Sequence, residues 1–250
     1  IGLPKLVFLD KVIKGTLKVI AIDDSKWNFL LGNKTKVISS VVVDKEKPKI
    51  TIINKSYSIR RGGSALIIFK AEDQNLKNFY IETNFGKKFI PQPFFKEGYY
   101  ISLLGWPVTK KHFKASLIAY DKAGNKNKLT IPFYLKTKKY RLSTLMLKDK
   151  FLDGKIAELA NRFDETAQVA DKLEKFRIIN EVVRAKNEKL IHQITSVVSE
   201  KMISNFEIKP FYPLKNGAAV ASFGDHRKFY YQDTFISESF HLGLDLASIR

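Results

Sequence analysis

Residues 113–125 read FKASLIAYDKAGN, and residues 129–135 read LTIPFYL. An apolar run ends on Asp121 and is followed by Lys122, Ala123, Gly124 and Asn125. Asp and Asn side chains hydrogen-bond to nearby backbone, and Gly accepts positive φ, so this stretch predicts a strand, a tight turn and a returning strand. The same grammar extends towards the N-terminus. PKITII (48–53), SALIIFKAED (64–73), KNFYIET (77–83) and YYISLLGW (99–106) are short apolar runs. RRGGS (60–64), NFGKK (84–88) and KEGY (96–99) punctuate them. Strands of this length and spacing predict an immunoglobulin-like β-sandwich over residues 46–137. The chain has no cysteine, so this is not an antibody-type domain, and disulfides, thiolate metal sites and cysteine nucleophiles are excluded.

The Asp-ended strand recurs. LKVIAIDDSKWN (17–28) places an apolar strand, Ala, an apolar residue and Asp in the order found in 113–125. Residues 1–45 are therefore expected to be a partial β module, the tail of a preceding immunoglobulin-like repeat.

Residues 138–205 change character. Ile156, Leu159, Phe163, Ala167, Ala170 and Leu173 recur every three or four residues, as do Leu190, Ile194 and Val197, and no proline lies between Pro132 and Pro210. This periodicity predicts an amphipathic helical connector, capped at its start by Ser143, with Leu159, Phe163, Leu173, Leu190 and Ile194 largely buried. Residues 206–250 return to β-like patterning. The fold class is thus mixed and mainly β: sandwich, helical segment, then the first strands of a second β-rich domain.

The formal net charge is +19, and eleven of those charges lie in residues 46–137 as scattered lysines. Without an arginine-rich helix or a Gly-aromatic RNA-binding signature, this distribution argues against nucleic acid. A basic surface of this kind suits other polyanions, including bacterial cell wall and acidic membrane. No apolar run reaches the roughly 18 residues that span a bilayer. His112 and His192 stand alone, without a partner pattern.

The chemistry concentrates in SFGDHRKFYYQDTFISESFHLGLDLAS (222–248). His241, Gly243 and Asp245 alternate with Leu242, Leu244 and Leu246. A straight strand would hold His241 and Asp245 about 13 Å apart, at roughly 3.3 Å per residue. One metal ion needs each ligand within about 2 Å. If His241 and Asp245 share an ion, the chain must bend between them, and Gly243 is expected to permit the bend.

In context this stretch resembles the start of the catalytic domain of the M23 (lysostaphin-like) zinc metalloendopeptidases. These carry Phe-Gly followed closely by Arg, an insertion, and then His-x-Gly-x-Asp-hydrophobic-Ala. Phe223, Gly224 and Arg227 fit the first part, although Arg often stands one residue nearer the glycine; His241, Gly243, Asp245, Leu246 and Ala247 fit the second. The resemblance covers roughly residues 208–250. It implies that residues 206–250 begin a peptidase domain and that His241 and Asp245 are zinc ligands. Arg227 and His226 are then candidates to line the substrate groove. The family's third ligand is the second His of a downstream His-x-His, whose first His assists catalysis. This sequence contains no such pair, so the catalytic residues are expected beyond Arg250 and the 250 residues alone are expected to be inactive.

The resemblance further implies a peptidoglycan substrate, a periplasmic or cell-envelope location, cell-envelope protein partners and room for an inner-membrane anchor before Ile1. The alternative reading is a degenerate, non-catalytic M23-like scaffold that binds wall or regulates other wall enzymes.

Overall fold

The computed structural model describes residues 12–26, 29, 31–205, 207, 209 and 214–248. It is mainly β, with several sheets and two helices. Among the described residues no helix is long and apolar enough to cross a membrane.

Strands β1 (Val12–Ile22) and β2 (Lys34–Asp44) form an antiparallel ribbon. Leu17, Val19, Ile20, Ile22, Val37, Ile38 and Val42 on it are exposed, so its apolar residues lie on the surface. The partial β module expected for residues 1–45 is described only as this hairpin; residues 1–11 lie outside the described residues.

Two four-stranded antiparallel sheets follow. One orders β3 (Lys49–Lys55), β5 (Ser64–Glu72), β9 (Tyr99–Gly105) and β8 (Gln92–Pro93). The other orders β11 (Lys126–Thr130), β10 (Ala115–Asp121), β6 (Leu76–Thr83) and β7 (Lys88–Phe89). Two-residue alternation makes the core: Ala65, Ile67, Phe69 and Ala71 of β5 are buried while their neighbours face outward. They meet Ile81, Leu104, Ala115 and Leu117 from the other strands. Burying a side chain such as Phe69 contributes roughly 1.5–3 kcal/mol. Trp106 packs on Phe113, and its indole N–H donates to the Lys110 carbonyl at 2.8 Å, so the buried ring leaves no orphan donor. The short strands β4 (Ser58–Arg60) and β12 (Tyr134–Lys136) pair in parallel beside this body.

The segment after residue 138 departs from the helical expectation. Leu142–Met146 is a strand, β13, paired in parallel with β15 (His226–Tyr231), which pairs antiparallel with β16 (Thr234–Phe240). Ser143 caps no helix; its hydroxyl donates to Asp225 at 2.7 Å. The first helix spans residues 149–160 and the second residues 172–195, each interrupted by one π-type stretch, Leu152–Ile156 and Ile179–Val183. Asp171 caps the second helix by accepting from the Glu174 amide at 2.7 Å.

These helices pack on the β13–β15–β16 sheet. Leu152, Ile156 and Phe176 form the buried seam with Leu147, joined by Leu173, Phe229 and Ile236. Leu190 and Ile194 are 55% and 67% exposed, contrary to their expected burial, and Leu159, Phe163 and Leu173 are only half-buried. The reason is where the packing stops along the helix: Phe176, Asn180 and Val183 are buried and none of Arg184–Thr195 is, so Leu190 and Ile194, seven and eleven residues after Val183 and on the same face as it, are left exposed.

Candidate functional site

The chain does bend between His241 and Asp245. β16 ends at Phe240 and β17 (Asp245–Ser248) starts a new antiparallel pair with β14 (Gly217–Ala221). His241 Nε2 stands 3.2 Å from Asp245 Oδ1. The His241 amide donates to the Asp225 carbonyl at 2.9 Å and its own carbonyl accepts from the Gly224 amide at 2.7 Å. Backbone bonds thus fix the position of His241, and one ring nitrogen fixes its orientation: Nδ1 lies 3.1 Å from the Ser222 carbonyl. A carbonyl can only accept, so Nδ1 is the nitrogen that donates to Ser222, and Nε2 is the one that faces Asp245.

Gly243 is not what forces this geometry. Among the described residues it is not one of the positive-φ glycines, and a Cβ there would meet only His241 Nε2, at 3.5 Å. The strained position is Gly224, at φ +86°, where a Cβ would lie 2.2 Å from the Tyr140 ring. Phe-Gly therefore has a steric role: it lets the 223–225 turn pass over Tyr140 and present its backbone to His241. Tyr140 also donates its hydroxyl to the Arg61 carbonyl and lies against Gly62, so it joins the first β body to this site.

Arg227 and His226 separate, because neighbours on a strand face opposite ways. Arg227 reaches the site, with Nη2 3.7 Å from Asp245 Oδ2 and Nε 3.4 Å from Asp225 Oδ2. His226 instead stacks on Phe240, with ring centroids 4.5 Å apart, and lies 3.0 Å from Glu238 Oε2. The chain from Gly224 to Asp245 is thus laced by one buried carboxylate, Asp225, which accepts from Ser143 and pairs with Arg227. Sequence reasoning missed Asp225 and Tyr140 and gave Ser143 a different role, as a helix cap. Only Asp225 carried a signal, as the acidic residue inside SFGDHR.

His241 is mostly covered and Asp245 is open, with side chains 14% and 54% exposed. Leu242 and Phe223 also line an open groove of about 780 Å³ shared with Trp106, Pro107 and Val108. Two ligands at about 2.0–2.1 Å in a tetrahedral shell stand about 3.3 Å apart, so the observed 3.2 Å fits two corners of such a shell. Among the described residues no third His, Asp or Glu joins them; the one group of three possible donors, Asp44, Asp73 and Asp121, lies elsewhere. Asp121 in that group is already engaged by Asn125.

No family model and no curated protein matches this chain.

Proposed function

We propose that residues 206–250 carry the first two ligands, His241 and Asp245, of the zinc site of an M23-type peptidoglycan endopeptidase. The observation that carries the reading is the 3.2 Å approach of Nε2 to Oδ1 across the bend, with Nδ1 held by the Ser222 carbonyl. Bound zinc would polarise a scissile carbonyl and lower the pKa of a water. This chain's own residues would orient and bind. Ser222 sets the imidazole tautomer, and Arg227 holds one carboxylate oxygen of Asp245 while the other faces His241. Beside Asp245, Arg227 would be the groove residue of the two, whereas the placement of His226 speaks for a packing role.

On this reading the two facing four-stranded sheets are an immunoglobulin-like sandwich. The strand orders β3-β5-β9-β8 and β11-β10-β6-β7 support that, because successive strand pairs (β3 with β5, β6 with β7, β8 with β9, β10 with β11) alternate between the sheets as in such a topology. The β1–β2 hairpin would be the end of a related repeat. Supporting that is a shared clasp: Asp23 and Asn33, like Asp121 and Asn125, exchange an amide–carbonyl bond and two bonds to the Asp carboxylate. The location would be the periplasm or cell envelope.

The second reading is a degenerate, non-catalytic scaffold, with which the same placing of His241 and Asp245 is compatible. Zinc titration of the chain, with His241→Ala and Asp245→Ala beside it, tests the ligand assignment. Weak binding lost in either variant is expected, and zinc affinity unchanged in both would refute it. Wall digestion by the full-length protein, abolished in the same variants, separates enzyme from scaffold.

A further inference from the structure

The outward face of the β11-β10-β6-β7 sheet is chemically distinct. Cross-strand register puts Tyr120 beside Lys126, Ile118 between Lys128 and Tyr80, and Glu82 beside Lys88. Tyr80 and Tyr120 stack, with centroids 6.5 Å apart and planes 26° apart. Lys88 Nζ lies 4.6 Å from the centre of Tyr80, and Lys126 Nζ lies 5.3 Å from the centre of Tyr120. Ile118 beneath them is only 1% exposed, so the rings and lysine stems roof an apolar floor.

The two rings thus hold two exposed ammonium groups in place, and Lys128 supplies a third beside them, against the one carboxylate of Glu82. Lysines held against rings lose less side-chain freedom when they bind an anion, and Lys126 is further fixed by a hydrogen bond to the Tyr120 hydroxyl that uses one of its three N–H donors. No arginine stands on these paired positions, so the face offers point charges rather than the flat forks that read phosphate and base edges.

We infer that this face binds a carboxylate-bearing glycan polymer, the strands and peptide stems of the bacterial wall. The inference rests on the wall-directed reading above and names the surface by which the chain would be held on its polymer.

The test is co-sedimentation of the whole chain with purified peptidoglycan sacculi. Lys88→Glu/Lys126→Glu/Lys128→Glu is expected to weaken sedimentation at least tenfold, and added salt to weaken the parent steeply. A charge-matched control, Lys18→Glu/Lys34→Glu/Lys36→Glu on the exposed β1–β2 ribbon, is expected to retain binding. Tyr80→Leu/Tyr120→Leu keeps every charge and the cover over Ile118, and is expected to lose about threefold. Equal loss in the control would mean that net charge alone acts, and would overturn the proposal. So would an unaffected triple variant, parental binding by the leucine variant, failure of the parent to sediment, or stronger binding to a single-stranded oligonucleotide of equal charge. Zinc titration of the triple variant should match the parent, and His241→Ala should sediment as the parent does. A parent chain that binds no zinc yet sediments with sacculi would therefore defeat the peptidase reading alone.

Discussion

Asn180, buried on the second helix, donates a 2.9 Å hydrogen bond to the hydroxyl of Ser237, itself 1% exposed in the middle of β16. The same amide reaches the Glu238 carbonyl at 3.3 Å, and the Ser237 hydroxyl passes its own proton to Glu181 at 2.8 Å. A helix is thereby pinned to the strand that delivers His241. Truncating one partner of a buried pair leaves the other unsatisfied, at a cost of about 1–3 kcal/mol. Asn180→Ala should lower the unfolding free energy by that amount, read as a lower urea midpoint with an unchanged m-value, and zinc affinity should fall with it as β16 loosens. Ser237→Ala, which removes the acceptor, should cost a similar amount, and the double variant less than the sum.

This network was invisible in the sequence, for a physical reason. Asn180 is a polar residue in a buried position, which an apolar pattern cannot mark. The pattern gives the face of a helix but not how far along it the packing runs: Leu190 and Ile194 share the face of Val183 and are exposed, whereas Val183 is buried. The first β body was legible because two-residue alternation survives in each strand: every buried residue of β5 follows it. The bend at His241 was legible as a requirement of metal chemistry. Its cause was not, since the fit of Gly224 over Tyr140 joins residues more than 80 positions apart.

The link between the helices and the sheet should be pH-sensitive at its acid end. Asp149 accepts from Lys172 at 2.6 Å and from Tyr231 at 2.9 Å, and these bonds hold its carboxyl below the usual carboxylate value of 3.8. A depressed acid pKa stabilises the fold above the unfolded value, and that contribution is lost as pH falls through the folded one. Lys172, pushed up to about 12 chiefly by Asp149, loses its side of the pair only as pH rises through that range. The expected result is a urea midpoint that declines below about pH 4 more steeply in the parent than in Lys172→Met. All three groups are solvent-facing, so 1 M NaCl should shrink the difference. Identical acid limbs in parent and variant would dismiss the link as energetically silent.

The two clasps should differ in weight although they share a design. Burial alone would raise the Asp121 pKa, but hydrogen bonds from Asn125, Gly124 and Ala123 outweigh it and hold the carboxyl below its usual value. Asp23 is exposed and depressed chiefly by the Asn33 amide. Asp121→Ala should therefore lower global stability by about 1–3 kcal/mol, since it strands buried donors at the turn. Asp23→Ala should leave the global midpoint within about 0.5 kcal/mol and instead speed amide exchange along β1 and β2. Comparable global losses for both would contradict the difference in burial on which this rests.

Of the two glycines in the terminal motif, only the one away from the metal-ligand pair should be sensitive to a methyl group. Gly224 combines φ +86° with a Tyr140 ring that a Cβ would meet at 2.2 Å, and its amide donates to the His241 carbonyl. Gly224→Ala must move the turn or the ring, so it should destabilise by more than 1 kcal/mol and displace His241. Gly243 has an ordinary backbone among the described glycines, and a Cβ there meets only His241 Nε2, at 3.5 Å. Gly243→Ala should fold with stability within about 0.5–1 kcal/mol of the parent, and its methyl group would make only ordinary contact with the nitrogen that faces Asp245. Tyr140→Ala in the Gly224→Ala background separates the two effects: it removes the clash but not the φ penalty. Partial recovery of stability over the glycine variant alone, together with recovered zinc binding, is the expected outcome. A Gly224→Ala protein as stable as the parent would show that the turn relaxes freely and that Tyr140 does not set the position of His241.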